Sequence, residues 1–361
     1  MSRETLANDW IREASLPSGT TPSILFAGGQ FRIMRRRQIL TTVPALLAGC
    51  LGGGDSTPSA TTSSRTPTPS ATSTETEQPY DLIPEEPASV TTAEVREQLA
   101  ARDCSTLTDL PTTCPGDDAR LRVSVSPTVG SLRDDAIEFI VENPTDEHFT
   151  TNYRNWKLRK WDGTKWRRLA PLAIPGGQDR LAAGDSHTHR ISTVADRVAR
   201  DPDAYWATAD VTIGGLGPGV YGFSYDGYFE STPDDERAVA AVFGFAGKAS
   251  PVRPTDNVSR VEREGAELVV SEEPPADDRA EFAVSFTDAK PDARLLSEHA
   301  HQLAALSNTL PYAATEGIER VRYVGNAADV DLAATYLSVV TPDSATRFGF
   351  RDLVFETSST D

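Results

Sequence analysis

The chain is short of lysine, cysteine and long apolar runs, and each shortage excludes something. Only Lys157, Lys160, Lys165, Lys248 and Lys290 occur in 361 residues, and 53 acidic against 35 basic residues leave a net charge of −18. Such a surface repels nucleic acid, so no nucleic-acid partner is expected. Dense carboxylates with little lysine suit a halophilic protein, since at 1 M salt a Debye length of roughly 3 Å removes their self-repulsion. Of the three cysteines, Cys50, Cys104 and Cys114, the last two stand ten apart without neighbouring His or Cys and make a poor zinc site, since four ligands are needed and two are on offer. The apolar run from Ile39 to Ala48 is far shorter than the roughly 20 residues a spanning helix needs. No H-E-x-x-H, P-loop or G-x-S-x-G elbow occurs, and in "GFSYDG" Asp226 stands where the elbow's second glycine belongs. No catalytic residue, cofactor or metal site is assigned on this basis.

What is present begins with "MRRRQILTTVPALLAGC", residues 34–50. Arg36 and Arg37 ahead of a short apolar stretch read as a signal peptide for twin-arginine export. Leu47-Ala48-Gly49-Cys50 resembles the lipobox of exported lipoproteins, which implies a lipid on Cys50 and anchorage to the outer face of the cytoplasmic membrane, at the cell surface. Simple cleavage is the alternative. Translation is expected to start at Met34, with residues 1–33 as a mis-assigned start or a leader. Residues 51–88 are rich in Ser, Thr and Pro and cannot build a core, so they read as a disordered linker. With Cys50 given to the lipid, Cys104 and Cys114 remain as a pair in an oxidising compartment, and a disulfide is the default. It would contribute on the order of 2 to 3 kcal/mol and is expected to pin the preceding helix to the first strand.

Residues 89–254 open with "TTAEVREQLAARDC", where Thr91 and Glu94 are spaced as a capping box and predict a short helix over Thr92 to Arg102. Strand signals with turns between them then dominate, as in "RLRVSVS", "AIEFIVEN", "SHTHRIS", "VYGFSYDGYF" and "AVAAVFGFAG", which is the pattern of a β-sandwich. The aromatic hairpin "NWKLRKWDGTKWRRL" turns at Asp162-Gly163 through two or three residues. The longer turn is favoured because it sets Trp156, Leu158 and Trp166 on one apolar face. It leaves Trp161 exposed in the turn as a possible partner contact.

The segments "VENPTDEHFTTNYRNWKLRKWDGTKWRRLAP", "LAAGDSHTHRIS" and "GLGPGVYGFSYDGYFE" resemble uncharacterised exported haloarchaeal lipoproteins that carry a bacterial Ig-like domain. His189 stands where that pattern has Trp, and Ile191 where it has Leu. The resemblance implies an Ig-like fold and a surface address, and no reaction or ligand.

Residues 255–361 change character. "GAELVVSEE", "RAEFAVSFTD", a helix-like "PDARLLSEHAHQLAALSNTL", "GIERVRYVG", "TYLSVV" and "RFGFRDLVFET" read as two strands, a helix and three strands, a small α+β domain. In that helix Leu295, Leu296, His299, Leu303 and Leu306 are spaced to bury one face. His187 and His189 share a strand face in the register of Ile191 and are expected to be inward-packed or edge histidines rather than metal ligands, while His299 and His301 point to different faces of a helix. Adjacent carboxylates such as Asp117-Asp118 and Glu272-Glu273 read as solvated surface, because calcium takes six to eight oxygens from a spaced loop. Asn257 in "NVS" is a possible glycosylation site.

The expected fold class is mainly β, an Ig-like β-sandwich followed by a small α+β domain, after a signal peptide and a disordered linker. The expected function is a membrane-anchored exported lipoprotein acting as a surface binding or scaffold module for an unknown protein or glycan ligand. A cell-surface enzyme with its site in or beside the C-terminal α+β domain is one alternative. A solute-binding protein is another, although the βαβ pattern it would need is missing.

Overall fold

The computed structural model describes Tyr80, Leu82 and residues 89–360, apart from 133–134, 172–175, 195–209, 274–277 and 341–345. The export signal, Cys50 and nearly all of the linker lie outside the described residues.

A short strand, Ser89–Val90 (β1), leads into the helix Thr92–Ala100 (α1). The capping box is formed: Glu94 N–H donates to Thr91 Oγ1 at 3.3 Å and Thr91 N–H to Glu94 Oε2 at 2.7 Å, which satisfies two otherwise orphaned donors. A 3₁₀ turn at Cys104–Leu107 and the strand Thr112–Thr113 (β2) complete an N-terminal strap. The strands that follow are Arg122–Ser126 (β3), Val129–Ser131 (β4), Ile137–Glu142 (β5), Phe149–Thr151 (β6), Lys157–Trp161 (β7) and Trp166–Ala170 (β8). Then come Asp179–Leu181 (β9), Ser186–Val194 (β10), Asp210–Gly214 (β11), Gly219–Phe229 (β12) and Arg237–Lys248 (β13).

Among the described residues these strands form two sheets. One runs β11-β10-β5-β3. The other runs β1-β13-β12-β6-β9, with β2 and β4 also on β13, β7 on β12 and β8 on β7. The chain changes sheet after β3, which is antiparallel to β5, because β4 then lies parallel to β13. The result is an Ig-like sandwich. Its core follows from alternation: along β5, Ile137, Phe139 and Val141 are buried while Glu138 and Glu142 are exposed. They meet Tyr221, Phe223 and Tyr225 of β12 and Phe243 and Phe245 of β13.

His189 belongs to this layer. It shares the inward register of Ile191, is 0% exposed, and sits 5.1 Å from the Phe223 ring and 5.4 Å from the Tyr225 ring. Burial first, and His187 second, pull the His189 pKa down to about 3, so the imidazole is neutral. Neither ring nitrogen has a hydrogen-bond partner in the described chain.

The last strand, β13, is buried on both faces because the strap lies across its outer side. Two glycines make room: a Cβ at Gly244 would collide with Val95, and one at Gly222 with Leu107. The Cys104–Cys114 disulfide, with its Cα atoms 6.1 Å apart, closes the strap above Ala240. Thr112 and Thr113 pair in parallel with Ala238 and Val239. The bridge thus closes a loop within the strap, which strand pairing and packing hold on the last strand of the sandwich, and it does not join the helix to the first strand.

The C-terminal layer contains Arg260–Glu264 (β14), Glu267–Ser271 (β15), Arg279–Phe286 (β16), Ala293–Leu295 (β17), Ser297–Gln302 (α2) and Ala304–Ser307 (α3). It continues with Arg320–Asn326 (β18), Ala327–Val340 (α4), Arg347–Phe350 (β19) and Leu353–Thr360 (β20). The sheet order among the described residues is β14-β15-β18-β16-β20-β19-β17.

Three expectations need correction here. The single helix is broken: residues 293–295 form a strand, and Leu303 adopts an extended backbone at φ −122°, ψ 115° between α2 and α3. Leu295, His299, Leu303 and Leu306 are nonetheless buried. "TYLSVV" lies within α4 and not in a strand, because Asn326 Oδ1 accepts from Ala328 N–H at 2.8 Å and Val330, Ala333, Tyr336 and Leu337 recur at helical spacing on a buried face. Glu272 is not solvated surface. It is 9% exposed, and its Oε1 accepts from Thr255 Oγ1 and Asn308 Nδ2 at 3.1 Å each, tying the chain between sandwich and C-terminal layer to α3.

Polar contacts join the two layers. Glu298 forms an ion pair with Lys160 and accepts from Gly217 N–H at 3.0 Å and from Tyr221 O–H at 3.3 Å. Tyr336 O–H donates to Leu169 O at 2.9 Å. His299 Nδ1 accepts from Leu296 N–H at 3.0 Å, which leaves the proton on Nε2 to donate to Arg168 O at 2.9 Å. Burial, only partly opposed by that carbonyl and by Glu298, pulls the His299 pKa down to about 4.

Candidate binding groove

The aromatic hairpin adopts neither expected register. Trp161 pairs with Trp166, Lys160 with Arg167 and Arg159 with Arg168, so the loop holds four residues, Asp162 to Lys165. Asp162 builds this turn. Its N–H donates to Lys165 O at 3.1 Å, and its Oδ1 accepts from the Thr164 and Lys165 N–H groups at 2.8 Å each. Gly163 takes the left-handed backbone at φ 97°. Burial of Asp162 raises its pKa, but hydrogen bonds from Thr164, Lys165 and Arg167 outweigh it and hold the carboxyl well below the usual range.

A bulge follows. Arg159 faces Arg168 while Leu158 faces Ala170, which leaves Leu169 as the extra residue. Leu158, Leu169 and Ala170 are buried in the sandwich together with Trp156. Trp166 is carried to the opposite face, beside Trp161, at 5.4 Å and 72°. It packs on the disulfide cluster, and its Nε1 donates to Thr106 Oγ1 at 2.9 Å. Trp161 is not stranded in the turn but closes the end of β7, with the Arg102 guanidinium 4.2 Å from its ring centroid. Neither indole is core and neither is free. Trp166→Ala is expected to cost about 2 kcal/mol, roughly half a full core truncation. Trp161→Ala is expected to cost about 1 kcal/mol, mostly the lost cation–π contact and edge packing. Denaturant melts of the two variants check this, and a loss of 4 kcal/mol or more at Trp166 would return it to the sandwich core.

Between the strap and the hairpin lies an open groove of about 920 Å³. Arg102, Leu107 and Asp109 line it from the strap, Lys157, Arg159, Trp161, Lys165 and Trp166 from the hairpin, and Asp226 from β12. The floor is the outer face of the larger sheet, made polar at this point. Arg159 donates to Ser224 Oγ at 2.9 Å, and Lys157 pairs with Asp226. Burial, then neighbouring Arg168, lowers the Arg159 pKa, against weaker support from Asp226 and Asp109. The Asp226 side chain is only 9% exposed, yet its Oδ1 has no hydrogen-bond partner in the described chain; nor have Trp161 Nε1 and Arg102 Nε. Unsatisfied buried polar atoms are expensive in a purely structural surface. Volume, indoles and convergent polar groups are those of a ligand site.

The other candidate residues stand apart. Cys104 and Cys114 are bonded under the groove, and although Asp103 lies close to both sulfurs, neither offers a thiolate. Asn257 is exposed in a turn after the sandwich. His187 stacks on Tyr153 at 3.6 Å, far from any groove residue in sequence and on the other sheet. Among the described residues no helix is long and apolar enough to cross a membrane.

Reading the sequence alone named Trp161 as a possible partner contact and did not name Arg159, Lys157 or Asp226 beside it. A signal was present: from Trp156 to Arg168 there are six cations, three of them among the chain's five lysines, against one carboxylate, Asp162. In an acidic chain such a concentration stands out and could have drawn attention to the hairpin.

No protein-family model matches the chain, and no curated protein is similar to it. Among solved structures a transglutaminase of red sea bream is similar at 9% identity and a TM-score of 0.20, covering 47% of this chain and 23% of that one. A likeness that slight carries no argument about fold or activity.

Proposed function

We propose that the protein is an exported lipoprotein, held at the outer face of the cytoplasmic membrane through Cys50, that binds a cell-surface ligand in the groove between strap and hairpin. The single observation that carries the binding role is the groove itself, a recess with two indoles and with polar atoms that have no hydrogen-bond partner in the described chain. The twin arginines at Arg36-Arg37 and the lipobox support the address. The Ser/Thr/Pro linker would then hold the sandwich clear of the lipid surface.

Export and anchorage are separable. Cys50→Ser is expected to leave the protein exported but to move it from the membrane fraction to the medium after a salt wash. Retention in washed membranes of a Cys50→Ser variant that also carries Arg159→Ala, and so lacks groove binding, would contradict the lipid anchor.

A further inference from the structure

We propose that the groove takes an acidic oligosaccharide, with its carboxylates matched by Arg102, Arg159 and Lys165 and its ring hydroxyls by Asp226. This rests on the groove being the binding site.

Charge gives the first part. Arg102, Lys157, Arg159 and Lys165 line the groove against Asp103, Asp109 and Asp226, and of these cations Arg102, Arg159 and Lys165 form no ion pair within the described chain. Exposed Lys165 alone would mean little. Arg159 is different: it is partly buried, and it stands directly opposite Arg168 across the hairpin. Like charges in that position destabilise a strand pair, and in a chain of net charge −18 carboxylates to separate them are plentiful elsewhere. An oxyanion entering beside Arg159 relieves both the repulsion and the desolvation of the guanidinium.

Asp226 gives the second part. Its buried Oδ1 accepts nothing in the described chain, so the ligand carries hydrogen-bond donors as well as negative charge. Sulfate has none, and about 920 Å³ is far more room than a small inorganic anion would fill. A sugar acid combines hydroxyls, carboxylates and an apolar ring face able to lie on an indole.

The location separates a glycan from an acidic peptide. Extended peptides bind by adding to a sheet edge, where backbone groups are free. This groove lies on the face of β7 and β12, whose backbones are paired within the sheet, so a peptide main chain would find few partners there.

The test is titration calorimetry of the Cys50→Ser chain with a short oligogalacturonate, its carboxyl-reduced neutral counterpart, a Glu-rich peptide of equal charge, and sodium sulfate. The expected result is saturable binding of the oligogalacturonate, at least tenfold weaker binding of the neutral sugar, and none of the peptide or sulfate. Arg159→Ala is expected to weaken binding at least tenfold. If that variant melts early, Lys165→Ala, on the exposed rim, is expected to weaken binding severalfold at an unchanged Tm. Preference for the peptide, equal affinity for sulfate, or no binding of the oligogalacturonate would overturn the ligand class. If the chain still binds isolated envelopes through this groove, the binding role stands and only the ligand class falls.

Discussion

Glu298→Ala is expected to destabilise the protein by about 3–5 kcal/mol, the range for removing one partner of a buried ion pair. The Glu298 side chain is 4% exposed and that of Lys160 is 15% exposed, so the variant strands an ammonium in a site with little water. It also takes the acceptor from Gly217 N–H and Tyr221 O–H. Burial by itself would raise the Glu298 pKa, but Lys160 and the hydrogen bonds prevail and lower it, so the carboxylate is charged at neutral pH. The loss comes from leaving Lys160 unpaired rather than from the intrinsic worth of the pair. Lys160→Met with Glu298→Leu should therefore recover most of it. Chemical denaturation of the single and double variants is the check. A single-variant loss below about 1 kcal/mol would place this pair with ordinary surface salt bridges.

The second large effect is acid destabilisation that starts above the carboxylate range. His189 and His299 have folded pKa values of about 3 and about 4, against 6.5 unfolded. Between those values the unfolded chain binds more protons, so stability is complete above pH 6.5 and falls as pH falls. Each histidine contributes a loss of about 1.4 kcal/mol per pH unit over its window. From pH 6.5 to 5 the pair costs about 4 kcal/mol, a large part of an ordinary domain's stability. His189→Phe keeps a ring among Phe139, Phe223 and Tyr225, removes two unpartnered nitrogens, and should halve the slope without lowering stability at pH 7.5. Denaturant midpoints measured from pH 7.5 to 4.5 test this, and a flat profile between pH 6.5 and 5 in the parent protein would contradict the buried neutral state of both rings.

Where burial follows local periodicity, the sequence was readable. The alternation of β5, the Thr91/Glu94 cap and the inward face of His189 beside Ile191 all depend on residues within a few positions of one another. The failures share a different cause. "TYLSVV" has the β-branched and aromatic content of a strand, and only the upstream Asn326 cap and the Val330-to-Leu337 spacing reveal α4. The bulge at Leu169 reverses which side of the hairpin Trp166 faces, and one unpaired residue leaves no trace in composition. The groove is harder still to read. Arg102, Arg159 and Asp226 come from a strap, a hairpin and a central strand, and meet because the strap lies across the outer face of β12 and β13, paired to β13 through Thr112 and Thr113 and packed where Gly222 and Gly244 leave room. Glu272 was unreadable for a similar reason, its partners Thr255 and Asn308 being distant in the chain.

The groove's role as the binding site is tested most directly by sedimentation of purified Cys50→Ser protein with envelopes from cells that lack the wild-type chain. This form has no lipid to hold it, so any retention must come from the polypeptide, and the Arg159→Ala comparison assigns it to the groove. Retention is expected to be saturable and at least tenfold weaker for Arg159→Ala at a matched Tm. Equal retention of the two proteins, or none of either, would contradict that role.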